Sequence, residues 1–191
     1  MKPIIPSLIA ASAAVSPLAK KVLVVGMLVL AVGFLATPML MPSAGNAQDA
    51  RVATSMAALK DQTAKLGAPK IDGKDAVAGK DAPALYFGTT KMNNSMDMVD
   101  AVVKENGGAA TLFVKAGDEY VRVATTVKKG DGSSAMGTTL DPKSPAVAMS
   151  NKGEAYYGDA TIFGKPYVTG YEPIKDAGGK VIGIYFVGYM K

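Results

Sequence analysis

From Val22 to Gln48 the chain carries no charged residue, and Val22-Leu-Val-Val-Gly-Met-Leu-Val-Leu-Ala-Val-Gly-Phe-Leu-Ala36 within it is almost wholly apolar. Such a stretch approaches the roughly 20 residues that cross a bilayer. With Lys20 and Lys21 before it and small residues after it, the segment reads in two ways. Ser43-Ala-Gly-Asn-Ala47 presents small residues suited to signal-peptide cleavage, and the uncleaved alternative is an N-terminal anchor. Either reading leaves Lys20 and Lys21 inside and exports the rest of the chain. The sequence therefore divides into residues 1–47, a signal peptide or membrane anchor, and residues 48–191, one domain in a periplasmic or extracytoplasmic setting.

Composition narrows the chemistry of that domain. The 191 residues contain neither Cys nor His, which removes disulfides, thiolate nucleophiles, the usual general base near neutral pH and the usual transition-metal ligand. No phosphate-binding loop, dinucleotide fingerprint or nucleophile elbow occurs. The expectation is a protein that is not an enzyme and that takes no cofactor and no metal. The net charge is +5, but Lys2, Lys20 and Lys21 lie in the acid-free leader, so the exported part is close to neutral. Nucleic acid is not expected as a partner.

Along the domain, Val52, Met56, Leu59 and Leu66 recur at helical spacing and predict an amphipathic helix closed by Gly67 and Pro69. Residues 71–84 read as a polar crossing, with Asp72-Gly73 as a turn. Ser95 to Lys104 predicts a second helix ended by Asn106-Gly107-Gly108. From there β-branched and aromatic runs separated by glycines predict five strands, over residues 110–115, 119–128, 156–163, 165–174 and 180–189. Period 2 places Val121, Val123, Thr125 and Val127 on one face of the second strand, opposite Tyr120, Arg122, Ala124 and Thr126. Between strands two and three lie a polar loop with Asp131 as a turn residue and a short helix through Val147 and Met149. The fold class is α+β: a PAS-like, five-stranded, mainly antiparallel sheet with a leading N-terminal helix and a helical insert between strands two and three.

An ordered series of motifs adds a family resemblance. Gly108-Ala-Ala-Thr-Leu-Phe113, Tyr120-Val-Arg-Val-Ala-Thr-Thr-Val127, Lys129-Gly-Asp-Gly132 and Ala135-Met-Gly-Thr-Thr-Leu-Asp141 are followed by Tyr157-Gly-Asp-Ala160, Tyr167-Val-Thr-Gly-Tyr-Glu-Pro-Ile174 and Gly179-Lys-Val-Ile-Gly-Ile-Tyr-Phe-Val-Gly188. In this order they resemble the Cache family of extracytoplasmic sensor domains, in its single-Cache, Cache 3/Cache 2 fusion form, over roughly residues 50 to 190. The resemblance implies a ligand-sensing module of the kind found in chemoreceptors and sensor kinases. Such receptors continue into a second membrane helix and an output domain. Because this chain ends at Met190-Lys191, a separate membrane signalling partner or a homodimer is expected.

The residues singled out for binding are Arg122, Thr138, Thr139, Tyr167, Thr169 and Tyr171. Arg122 offers a planar fork to a carboxylate; solvent exposure or pairing with Glu172 is its structural alternative. Tyr167, Thr169 and Tyr171 share a strand face and bring hydroxyls, with core packing as their alternative. Thr138 and Thr139 open the insert, where turn and capping roles compete with binding. The leading expectation is a small organic ligand, a carboxylate among the candidates, held between sheet and insert. A structural or interaction protein with the same shell is the alternative, and a hydrolase using Ser or Thr is a third reading.

Overall fold

The computed structural model describes residues 47–191. The reading of the leader as a signal peptide or anchor falls outside the described residues. Among them no helix is long and apolar enough to cross a membrane.

Helix α1 (Ala47–Ala64) buries Val52, Ser55, Met56, Leu59 and Thr63, one stripe at helical spacing. Helix α2 (Asp97–Asn106) buries Val99 and Val102 and ends at Gly107, whose φ of 75° suits glycine. Five strands, β4 (Ala109–Ala116), β5 (Glu119–Thr125), β6 (Tyr156–Ile162), β7 (Lys165–Lys175) and β8 (Val181–Met190), make an antiparallel sheet in the order β5-β4-β8-β7-β6. The insert between β5 and β6 carries helix α3 (Pro145–Asn151), whose N-cap Ser144 accepts a bond from the Val147 backbone N–H. This is the expected PAS-like α+β architecture with a leading helix.

Two apolar clusters occupy opposite faces of the sheet. One joins α1, α2 and the first hairpin to Leu112, Val114, Val121, Val123 and Val187. The other joins the insert to Phe113, Tyr120, Tyr171, Ile184 and Phe186.

The segment expected as a polar crossing is instead a hairpin. Strands β1 (Pro69–Val77) and β2 (Lys80–Phe87) pair antiparallel, and β3 (Thr90–Lys91) adds to β2. The period-2 signal is missing because β1 is exposed almost throughout. Asp72-Gly73 is not its turn. It lies where the pairing slips between Ile71 and Lys74, with Gly73 at a φ of 73°, so the glycine serves a bulge. The turn is Ala78-Gly79, whose φ values are 49° and 82°.

The faces assigned to the second strand hold only in part. Leu112 pairs with Ala124 and Phe113 with Arg122, leaving Val123 without an opposite residue. This bulge carries Val123 and Ala124 together into the helix-side cluster and moves Val127 to the insert side. Asn94, itself at a φ of 62°, donates its backbone N–H to the Val123 carbonyl at 2.8 Å, satisfying the backbone that the bulge frees.

Candidate functional site

The bulge leaves Tyr120 and Arg122 on the insert side of the sheet. The outer edge of β5 is taken up there by residues 137–140: the Arg122 N–H donates to the Thr138 carbonyl, and the N–H groups of Gly137 and Leu140 donate to the carbonyls of Arg122 and Tyr120. Gly137 lets this segment lie against the β1–β2 turn, because a Cβ there would come within 2.8 Å of Ala78 Cβ and of the Val77 carbonyl oxygen. The hairpin thus supports the segment that frames Arg122.

Arg122 is only 5% exposed. Its Nη1 donates to Thr138 Oγ1 at 2.8 Å and to the Thr139 carbonyl at 3.0 Å. Its buried Nε has no hydrogen-bond partner, and no carboxylate among the described residues forms an ion pair with it. Glu172, weighed as a partner, lies on the opposite face and receives bonds from Lys60 of α1 and the Tyr157 hydroxyl. The guanidinium lies 4.9 Å from the Phe113 ring centroid and 5.4 Å from that of Phe163. Burial lowers its pKa to about 10, so the charge is held in a place that disfavours it.

Arg122 lines a cavity of about 460 Å³ between the sheet and the insert, a size suited to a small molecule. Leu140, Pro145 and Ala146 of the insert form one wall; Tyr156, Ile162 and Tyr171 form another. Tyr171 packs on Phe186 with centroids 4.9 Å apart, and burial raises its hydroxyl pKa. The rim carries Asp141, Lys143 and Asp159.

Of the residues singled out in the sequence, Arg122, Thr139 and Tyr171 line this cavity together. Thr138 stands behind Arg122, accepting its bond and passing its own hydroxyl hydrogen to the Ala135 carbonyl at 2.7 Å. Thr169 is fully buried and donates to the Gly158 carbonyl at 2.7 Å. Tyr167 lines a separate shallow hollow beside Lys191. Sequence reasoning missed Tyr156 and Phe163. Register supplies the first, since Tyr156 pairs with Tyr171; the sequence places the second as the last residue of the third strand, which instead ends at Ile162 and leaves Phe163 in the turn with Gly164.

No group of His, Cys, Asp or Glu among the described residues is arranged to hold a metal ion. A PAS-like antiparallel sheet with a leading helix on one face and a helical insert packed on the other is the architecture of a sensory module. The chain belongs to the Cache 3/Cache 2 fusion domain family, whose model matches residues 36–191. Cache domains are extracytoplasmic, non-catalytic modules that sense small molecules in chemoreceptors and sensor kinases. None of the curated proteins compared with the chain matches it.

Proposed function

We propose that this domain senses a small organic carboxylate, bound in the cavity between the sheet and the insert with Arg122 as its anchor. The observation that carries the reading is the Arg122 guanidinium itself: buried, without an acidic partner, and with Nε unbonded beside a cavity. Burying an unpaired charge is costly, and a planar oxyanion meeting the free edge of the fork offsets that cost with charge-assisted hydrogen bonds. Nη1 is already committed to Thr138 and Thr139, which fixes the fork and leaves its other edge for the ligand. Tyr171 and Tyr156 supply the surface against which the rest of the ligand packs, and Thr139 frames the entrance. Thr138 contributes by holding Arg122, while Thr169 and Tyr167 contribute to the sheet and its flank.

Export through the apolar leader fits a periplasmic domain that meets its ligand outside the cytoplasm. Signal output through a membrane partner or a second copy belongs to the same reading. The test is a thermal-shift screen of the full chain against carboxylates, amino acids, amines and purines, with Arg122→Ala alongside. A ligand bound only by the native state raises the melting temperature. Carboxylates are expected to do so in the parent and not in the variant; a response confined to amines or purines overturns the proposal.

A further inference from the structure

Phe163 occupies a backbone conformation that a bulky side chain rarely adopts. It and Gly164 form the two-residue loop between the paired residues Ile162 and Lys165, with φ values of 48° and 80°. Two consecutive positive φ angles are the pattern of a hairpin turn that strongly prefers Asn, Asp or Gly at its first position. A phenylalanine there is strained, and strain of this kind persists where a neighbouring contact demands it. The contact is with the site: the ring centroid lies 5.4 Å from the Arg122 guanidinium carbon, and the residue lines the cavity. It is also 40% exposed, far more than Phe113 on the other ring contact. One aromatic neighbour of Arg122 is fixed in the sheet, and the other sits at the open tip of a hairpin.

We infer that Phe163 is a movable cover over Arg122 and determines which ligands reach the guanidinium. Arg122 Nε is sealed from solvent although it has no protein partner, so an anion gains that edge only when a covering group gives way. Among the side chains around the guanidinium, Phe163 is the exposed and strained one. Once an anion is seated, the ring closes beside the cation, excludes water and strengthens the charge-assisted contact. The ligand arm of this inference rests on the carboxylate reading of Arg122; the cover itself does not.

Two measurements on the full chain separate them. The first is phenylglyoxal labelling, read by peptide mapping. The chain has two arginines, Arg51 and Arg122, and exposed Arg51 is the internal reference. In the parent Arg122 reacts slowly, because only the open fraction is available to the reagent. In Phe163→Asn, a substitution the turn favours and therefore one that preserves folding, labelling of Arg122 rises at least about tenfold while that of Arg51 is unchanged. Phe163→Leu, which keeps apolar bulk but removes the π face, gives an intermediate rate.

The second is titration with acetate, propionate, pyruvate and succinate. Whichever binds the parent is expected to lose about tenfold in affinity in Phe163→Asn. Equal Arg122 labelling in parent and Phe163→Asn overturns the cover. Accelerated labelling in a chain that binds none of the four acids upholds the cover and contradicts the carboxylate reading.

Discussion

The Tyr189 hydroxyl lies 2.7 Å from the buried Ser55 hydroxyl of α1 and donates to the Asn106 carbonyl at the end of α2, also at 2.7 Å. One phenol near the end of β8 therefore ties both helices to the sheet on the side away from the cavity. Tyr189→Phe leaves the helix-end carbonyl and the serine without this partner. The expected loss is about 1 to 3 kcal/mol, read as a lower midpoint in urea unfolding of the full chain with an unchanged slope.

The centre of the sheet depends on a missing side chain. A Cβ at Gly183 of β8 would approach the Phe113 carbonyl oxygen to 2.3 Å, and a backbone atom inside a paired strand has little room to yield. Gly183→Ala is expected to cost about 3 kcal/mol and to lower the melting temperature by several degrees. Because Phe113 pairs directly with Arg122, the same change should also weaken ligand binding.

Ala78, like Phe163, holds a positive φ at the first position of a two-residue turn, here without contact to the proposed ligand cavity. Ala78→Asn suits that conformation and is expected to add about 0.5 to 1 kcal/mol to stability. A thermal melt showing no rise would contradict the strain assigned to this turn.

That turn also shows where the sequence stopped being informative. The five main strands and three helices were readable because apolar residues recur there with periods of 2 and 3.6, and glycines with positive φ punctuate them. The hairpin of β1 and β2 was hidden because β1 buries almost nothing and Ala78-Gly79 lacks the usual Asn or Asp. The bulge at Val123 was equally hidden: a period of 2 cannot announce its own interruption, and only pairing with β4 reveals it. Arg122 stood out as a lone cation in an apolar strand. Phe163 did not, since its role depends on where a hairpin tip lands. Thr169 and Tyr167 share a face with Tyr171, yet a hydrogen bond across to β6 and position at the sheet's end direct them elsewhere.

Alkaline pH should unfold the domain. Burial raises the hydroxyl pKa of Tyr171, Tyr157, Tyr185 and Tyr120 above the ordinary value of 10.0. Above pH 10 the unfolded chain releases these protons while the native chain retains them, so stability falls as pH rises. Arg122 works the other way: its pKa is lowered to about 10, and its unfavourable charge is relieved as pH climbs beyond that value. Four tyrosines outweigh one arginine, and the unfolding midpoint is expected to drop from pH 10 upward. Tyr171→Phe should make the drop shallower, and an identical pH profile in the variant would contradict the assignment.

The most direct test of the account compares Arg122→Gln with the parent by thermal unfolding of the full chain, ligand-free and then with acetate, propionate, pyruvate and succinate. If Arg122 is an anchor awaiting an anion, the ligand-free variant stays within about 1 kcal/mol of the parent, and the stabilisation that a carboxylate gives the parent disappears. A variant that is stabilised by the same acids to the same extent would contradict the account, as would a parent that none of them stabilises.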